Sequence, residues 1–322
     1  MKRIIYCIFQ LILPITTLAL CEQNIESGKV RVIIKPDKYT ILVNEPLYIT
    51  IVTKNEQKED AIFSADFSQR LSYTVSYEGE PFTYVNTPAE ILYSPETTKI
   101  APKSEYAWPT KVLFYYTDDK NNIKCIFSKP GKYRIQADLR TPMDYLSFQF
   151  DISTITVKKP DSSEEEAQKL IIDPKSAKQI RRPTTSEGGI DLLEQLVEKY
   201  PKSVYADYAR YSLGQYYFFI TFRSLEQKEE FDLPLKKTLY YFLSIPETYP
   251  ELRVRALYNV CFFYFLSSTK RLATECASVD EIVAELDKHS ELIKNIGYQD
   301  KINKMKEEFR LIKEKELMYA PK

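Results

Sequence analysis

The spacing of apolar residues changes once along this chain, and that change constrains its fold more than any other feature. Between residues 30 and 157 apolar side chains recur at every second position in short runs, and beyond residue 190 they recur at three- and four-residue steps. Period two buries one face of a strand, whereas a 3.6-residue period buries a stripe along a helix. A chain written first one way and then the other calls for two folding units. Its 322 residues are enough for two, at about 100–150 residues each.

The first region is a series of β-branched and aromatic runs: VRVIIK (30–35), LYITIVT (47–53), LSYTVSY (71–77), KVLFYYT (111–117), KYRIQADL (132–139) and SFQFDISTITV (147–157). Turn-forming residues separate them, among them Pro36-Asp37, Asn44-Glu45-Pro46, Glu78-Gly79-Glu80-Pro81, DDKNN at 118–122 and Lys129-Pro130-Gly131. Short strands punctuated in this way predict an antiparallel β-sandwich over 28–158. In FSKPGKYRIQADL (127–139), Tyr133, Ile135, Ala137 and Leu139 share one face behind the Pro130-Gly131 turn. That stretch resembles the penultimate strand of bacterial immunoglobulin-like domains, and the resemblance implies that Tyr133 fills the corner between two sheets.

Residues 159–189 change composition and read as a linker with one short helix. Ser162 or Ser163, with Glu165 or Glu166 three residues on, makes a capping box, and Asp173-Pro174 is expected to end the helix. The rest, including Arg181-Arg182 and Gly188-Gly189, reads as solvated chain.

From 190 to 322 the pattern is helical and repeats. ARYSLGQYYFF (209–219) is echoed by ALYNVCFFYFL (256–266), an offset of 47, with Ala209 matching Ala256 and Gly214 matching Cys261. Both copies follow a Tyr-Pro, at Tyr200-Pro201 and Tyr249-Pro250, and the small residues predict close approach by a neighbouring helix. LEQLVEKYPKSVYADYARYSLGQYY (193–217) resembles the tetratricopeptide repeats of bacterial envelope proteins of the outer-membrane-assembly and Tol-Pal accessory types, through Ser203, Tyr205, Ala206, Ala209, Leu213 and Gly214. The resemblance implies stacked helical hairpins that bind a protein or peptide. The period of 47 exceeds that family's 34, and the charged stretch FRSLEQKEEFD (222–232) is read as an insertion. A further helix is expected from the capping box at Ser278–Glu281 to Gly297, then a last one with Ile302, Met305, Phe309 and Ile312 inward.

Residues 1–21 read as a signal peptide: Lys2 and Arg3, then an apolar run from Ile4 to Leu13, then TTLALC. LALC is also lipobox-like, with Leu20 where that family has a smaller residue, so lipid attachment at Cys21 is the alternative. The expected location is periplasmic or secreted. Removal of the signal leaves Cys125, Cys261 and Cys276, an odd number that builds no complete disulfide framework.

Several chemistries are disfavoured. Forty-five basic and 45 acidic residues leave no net charge to attract nucleic acid. His289 is the lone histidine, which excludes multi-histidine metal sites. Seven glycines and no Walker, Rossmann or G-x-S-x-G pattern argue against nucleotide-handling and hydrolase enzymes. DDKNN is a hairpin turn that offers oxygens to a cation without the spacing of a calcium loop. The reading is therefore a multidomain β + α chain, an immunoglobulin-like sandwich followed by an all-α tetratricopeptide-like array, acting as a non-catalytic envelope adaptor without cofactor. Tyr211 and Tyr217 are the candidate partner-binding residues on the helices. Trp108, if exposed, is a platform for a glycan, the alternative ligand.

Overall fold

The structure, a computed structural model, describes residues 29–319 apart from 65–66, 79, 86–96, 109–110, 118–122, 140–145, 182, 184–187, 228–231, 269–278 and 296–297. The signal segment with Cys21, the DDKNN turn, Arg182, Cys276, Ser278 and Gly297 lie outside the described residues. Strands come first and helices after.

The strands are β1 (Val30–Pro36), β2 (Thr40–Leu42), β3 (Leu47–Asn55), β4 (Ala61–Ser64), β5 (Leu71–Tyr77), β6 (Glu80–Val85), β7 (Thr97–Ile100), β8 (Glu105–Ala107), β9 (Lys111–Leu113), β10 (Tyr115–Thr117), β11 (Ile123–Cys125), β12 (Gly131–Leu139), β13 (Phe148–Phe150) and β14 (Ile152–Lys158). One sheet runs β13-β1-β3-β8, with β9 also on β3, and a second runs β2-β14-β12-β5-β6. Alternate residues of both sheets, including Val32, Ile34, Ile49, Ile51, Tyr73, Val75, Ile135 and Ile155, join one buried cluster. Period two in the sequence thus becomes a shared core.

Three expectations are refined. The run at 111–117 is two strands, because β9 pairs with β3 while β10 pairs with β11. The run at 147–157 also divides, at Asp151. There the backbone N–H bonds to Val32 at 2.9 Å and the carboxylate takes the Arg31 guanidinium at 2.7 Å, so the chain leaves the first sheet and enters the second. The pairing is not wholly antiparallel, since β13 runs parallel to β1 and β2 parallel to β14.

At the Pro130-Gly131 turn, Gly131 has φ +145°, and a Cβ there would lie 2.6 Å from the Tyr77 ring, so both conformation and space demand glycine. Tyr133 is buried behind the turn between the rings of Tyr77 and Phe127. Its hydroxyl accepts from the Lys129 N–H and donates to the Lys129 carbonyl, both at 3.1 Å.

Helices follow as α1 (Ser162–Ile171), α2 (Pro174–Arg181), α3 (Ile190–Lys199), α4 (Val204–Gln227), α5 (Asp232–Leu243), α6 (Pro250–Ser268), α7 (Val279–Lys288), α8 (Ser290–Asn295) and α9 (Gln299–Tyr319). The N-cap of α1 is Asp161, whose carboxylate accepts from Ser163 N at 3.0 Å and Glu164 N at 3.1 Å, in place of the expected serine box. Asp173-Pro174 does not lead into linker. Asp173 accepts from Lys175 N at 2.8 Å and Pro174 opens α2, a position where its missing N–H costs nothing.

Ala167, Ile171, Ala177 and Ile180 bury themselves among the later helices, so this stretch is packed structure. Gly189, at φ +91°, lets α3 start against α2, where a Cβ would meet the Lys175 carbonyl carbon at 2.5 Å. Consecutive helices α3 to α6 pack each on the next. Residues 222–227 of the charged stretch extend α4, and 228–231 lie outside the described residues. The helix expected over 278–297 is divided at His289, whose N–H bonds back to Leu286 and whose carbonyl opens α8 by accepting from Ile293.

Candidate functional site

Two clusters of chemically active side chains stand out, one closed and one open. The closed one joins the strands to the helices. β3 is buried on both faces: Leu47, Ile49 and Ile51 enter the strand core, while Tyr48, Thr50 and Val52 are covered on the opposite side. Tyr48, Phe114 and Tyr115 belong to the helical core. The Tyr48 ring stacks on Tyr208 of α4 at 6.0 Å and 8° and meets Tyr211 edge-on at 6.1 Å.

Polar atoms close the same seam. Tyr205 donates to the Val43 carbonyl at 2.6 Å and Tyr208 to Glu45 at 2.9 Å, and Tyr208 also shares a 2.8 Å hydrogen bond with Tyr249. Lys38 bonds Glu45 at 2.8 Å and lies 3.7 Å from the Tyr249 ring centre. Arg255 of α6 pairs with Asp37 at 2.6 Å, the two side chains being 1% and 3% exposed, and its guanidinium sits 4.5 Å over Tyr48. Burial disfavours the charged guanidinium, but the facing Asp37 carboxylate outweighs it and holds the Arg255 pKa above its ordinary value. Burial also pushes the phenols of Tyr48, Tyr208, Tyr211 and Tyr249 upward, keeping them protonated. With these hydrogen bonds and ion pairs crossing it and its rings interlocked, this cluster fixes one half of the chain on the other.

Tyr211, expected on a partner-binding surface, is 6% exposed and lies inside that seam. Its hydroxyl receives Asn259 at 3.4 Å and Gln215 at 3.3 Å. The face of α4 that carries it is turned to the β-sheet, so it is not available to a partner. Trp108 is corrected as well. It is 1% exposed, donates to Thr53 Oγ1 at 2.9 Å and packs among Phe63, Phe67 and Tyr106, so it offers no stacking platform.

Tyr217 occupies the open cluster. Glu194 of α3 accepts from Tyr217 at 2.8 Å, from Lys237 of α5 at 2.9 Å and from Tyr241 of α5 at 3.1 Å, and Lys237 also donates to Tyr217 at 2.8 Å. Desolvation raises the Glu194 pKa, but these hydrogen bonds prevail and hold the carboxylate below its usual range. The rings continue as a ladder: Tyr216 to Tyr217 at 5.0 Å, Tyr217 to Tyr241 at 5.9 Å and 11°, and Tyr241 to Tyr240 at 5.1 Å. Tyr240, at its end, is 62% exposed.

Of this cluster the sequence singled out Tyr217 and not Glu194, Lys237, Tyr240 or Tyr241. One signal was present: Glu194 and Tyr241 are separated by 47 residues, the same offset as the two echoing stretches at 209–219 and 256–266.

Among the described residues there is no grouping of three or more His, Cys, Asp or Glu placed to hold a metal, and no helix is long and apolar enough to cross a membrane. Cys125 and Cys261 are free, and burial pushes both thiols up to about 12, which keeps them unreactive.

No family model and no curated protein matches the chain. Among solved structures it is similar to the CARDB domain of a Pyrococcus furiosus protein, at 15% identity over 42% of this chain and 97% of that one, with a TM-score of 0.22. A β-glucosidase of Erythrobacter marinus matches at 11% identity over 39% of this chain and 15% of that one, with a TM-score of 0.24. A cycloisomaltooligosaccharide glucanotransferase of Paenibacillus sp. matches at 12% over 45% and 18%, with a TM-score of 0.25. Each likeness covers less than half of this chain, and TM-scores this low define neither its fold nor its function.

Proposed function

We propose that this chain is an exported, non-catalytic adaptor of the cell envelope, periplasmic or secreted, in which an immunoglobulin-like sandwich carries a tetratricopeptide-like array that binds a protein or peptide partner. Lipid attachment at Cys21 would add membrane contact. The observation that carries the reading is the tyrosine ladder on α4 and α5. Its inner rings are fixed through hydroxyls held by Glu194 and Lys237, and it ends in the largely exposed Tyr240. Aromatic rings whose rotamers are already fixed lose little entropy on binding, which suits them to be contact residues. Phe219, Phe222 and Leu233, exposed on the same two helices, enlarge the apolar surface there.

The test is photo-crosslinking in envelope preparations of the source cells, with the photoreactive residue at position 240 or, as control, at the exposed Ile62 of β4. Discrete protein adducts at 240 that disappear when Lys237 and Glu194 are both replaced by Ala support the reading. Adducts at 62 alone, or none at either position, sink it.

A further inference from the structure

A cleft of about 190 Å³ opens where the outer face of the first sheet meets α8 and α9. Val52 of β3 and Tyr106 of β8 form its apolar wall. Around them stand four ionisable side chains: Lys35 of β1 and Glu105 of β8 from the strand half, Lys294 of α8 and Asp300 of α9 from the helical half. Each half therefore supplies one cation and one anion. Among the described residues the side chains of Lys35, Glu105 and Lys294 make no hydrogen bond or ion pair, which distinguishes them from the paired groups of the seam.

The volume is about six waters' share, too small for a drug-sized ligand and suited to one of roughly a dozen heavy atoms. A ligand of one sign would face repulsion from two of the four groups; one carrying both signs satisfies all of them. From this complementarity we infer that the cleft binds a zwitterionic molecule of dipeptide size, with its carboxylate toward the lysines and its ammonium toward Glu105 and Asp300. Such a ligand would bridge the two halves of the chain. The site is separate from the tyrosine ladder, so its failure leaves the adaptor reading intact.

Calorimetric titration of the full chain with L-alanyl-L-alanine tests this. A Kd of about 1 mM or tighter is expected, weakened about tenfold by acetylating the amine or amidating the carboxylate, and by Lys294→Met or Glu105→Gln. Both substitutions are at exposed positions and leave folding intact, which circular dichroism checks. No binding at about 10 mM, equal binding of the doubly blocked dipeptide, or an affinity indifferent to both substitutions overturns the inference.

Discussion

Asp207 shows how one buried side chain sets a pH response. It sits in the first turn of α4, with its carboxylate 2.7 Å from Arg210, whose other nitrogen donates to the Pro201 carbonyl at 2.6 Å. Burial pushes the Asp207 pKa up to about 6, the Arg210 charge offsetting only part of that penalty. The folded state thus holds a proton that the unfolded chain releases at about 4. The stabilisation from this site is complete below pH ~4 and is lost as pH rises through 6, on the order of 3 kcal/mol. Urea midpoints of the wild type and of Asp207→Asn, compared between pH 4 and 7, should show wild type gaining on the variant as pH falls. A constant difference would refute the shift. The raised value was not legible in the sequence, where nothing singles out Asp207. It comes from the covering of that turn, which no local pattern reports.

Among the elements, α4 and α5 show where sequence carries fold information well. Gly214 was expected to mark a close helix approach, and a Cβ there would lie 2.5 Å from Phe242 Cδ1, a ring that is fully buried and cannot yield. Gly214→Ala is expected to destabilise by about 1–3 kcal/mol, reversing the gain of about 1 kcal/mol that alanine normally brings to a helix. Adding Phe242→Leu should recover part of that loss. Denaturant unfolding measures both, and a stabilised Gly214→Ala would show that the helices stand further apart. The strands at 30–36, 47–55, 71–77 and 131–139 and the inward Ile302, Met305 and Phe309 were equally legible, because alternation and helical period record local burial. What failed was punctuation. Pro174 begins a helix because Asp173 caps it, and the run at 147–157 is two strands because Asp151 anchors a change of sheet. Both depend on partners distant in sequence or on which side of a proline the chain continues.

On the scale of the whole molecule, the candidate site was half legible. Tyr217, named as a candidate from the helical stretch, lies in the open cluster, whereas Tyr211 was expected on a surface that the structure covers, and Trp108, a platform only if exposed, is buried. Period-based reading identifies a buried stripe but cannot say that a second stripe on the same helix faces another domain. That fact is set by Tyr48, Asp37 and Glu45, more than 150 residues before the helices they meet. The seam they form sets the geometry of the chain, for a ladder on α4 and α5 has a fixed orientation relative to the strands only if the halves do not rotate. Loss of Arg255 would leave Asp37 buried and unpaired, at a cost of about 3–5 kcal/mol.

The direct test is a distance distribution between spin labels on cysteines introduced at Ile62 and Leu311, which are 51% and 44% exposed. Cys7, Cys21 and Cys276 are replaced by Ser, and the half-buried thiol of Cys125 and the buried one of Cys261, both pushed up to about 12, stay unlabelled. One narrow distance peak in the wild type, broadened in Arg255→Ala, is the predicted result. A broad or two-peaked distribution in the wild type would contradict a rigid seam and, with it, this account of how the two halves work together.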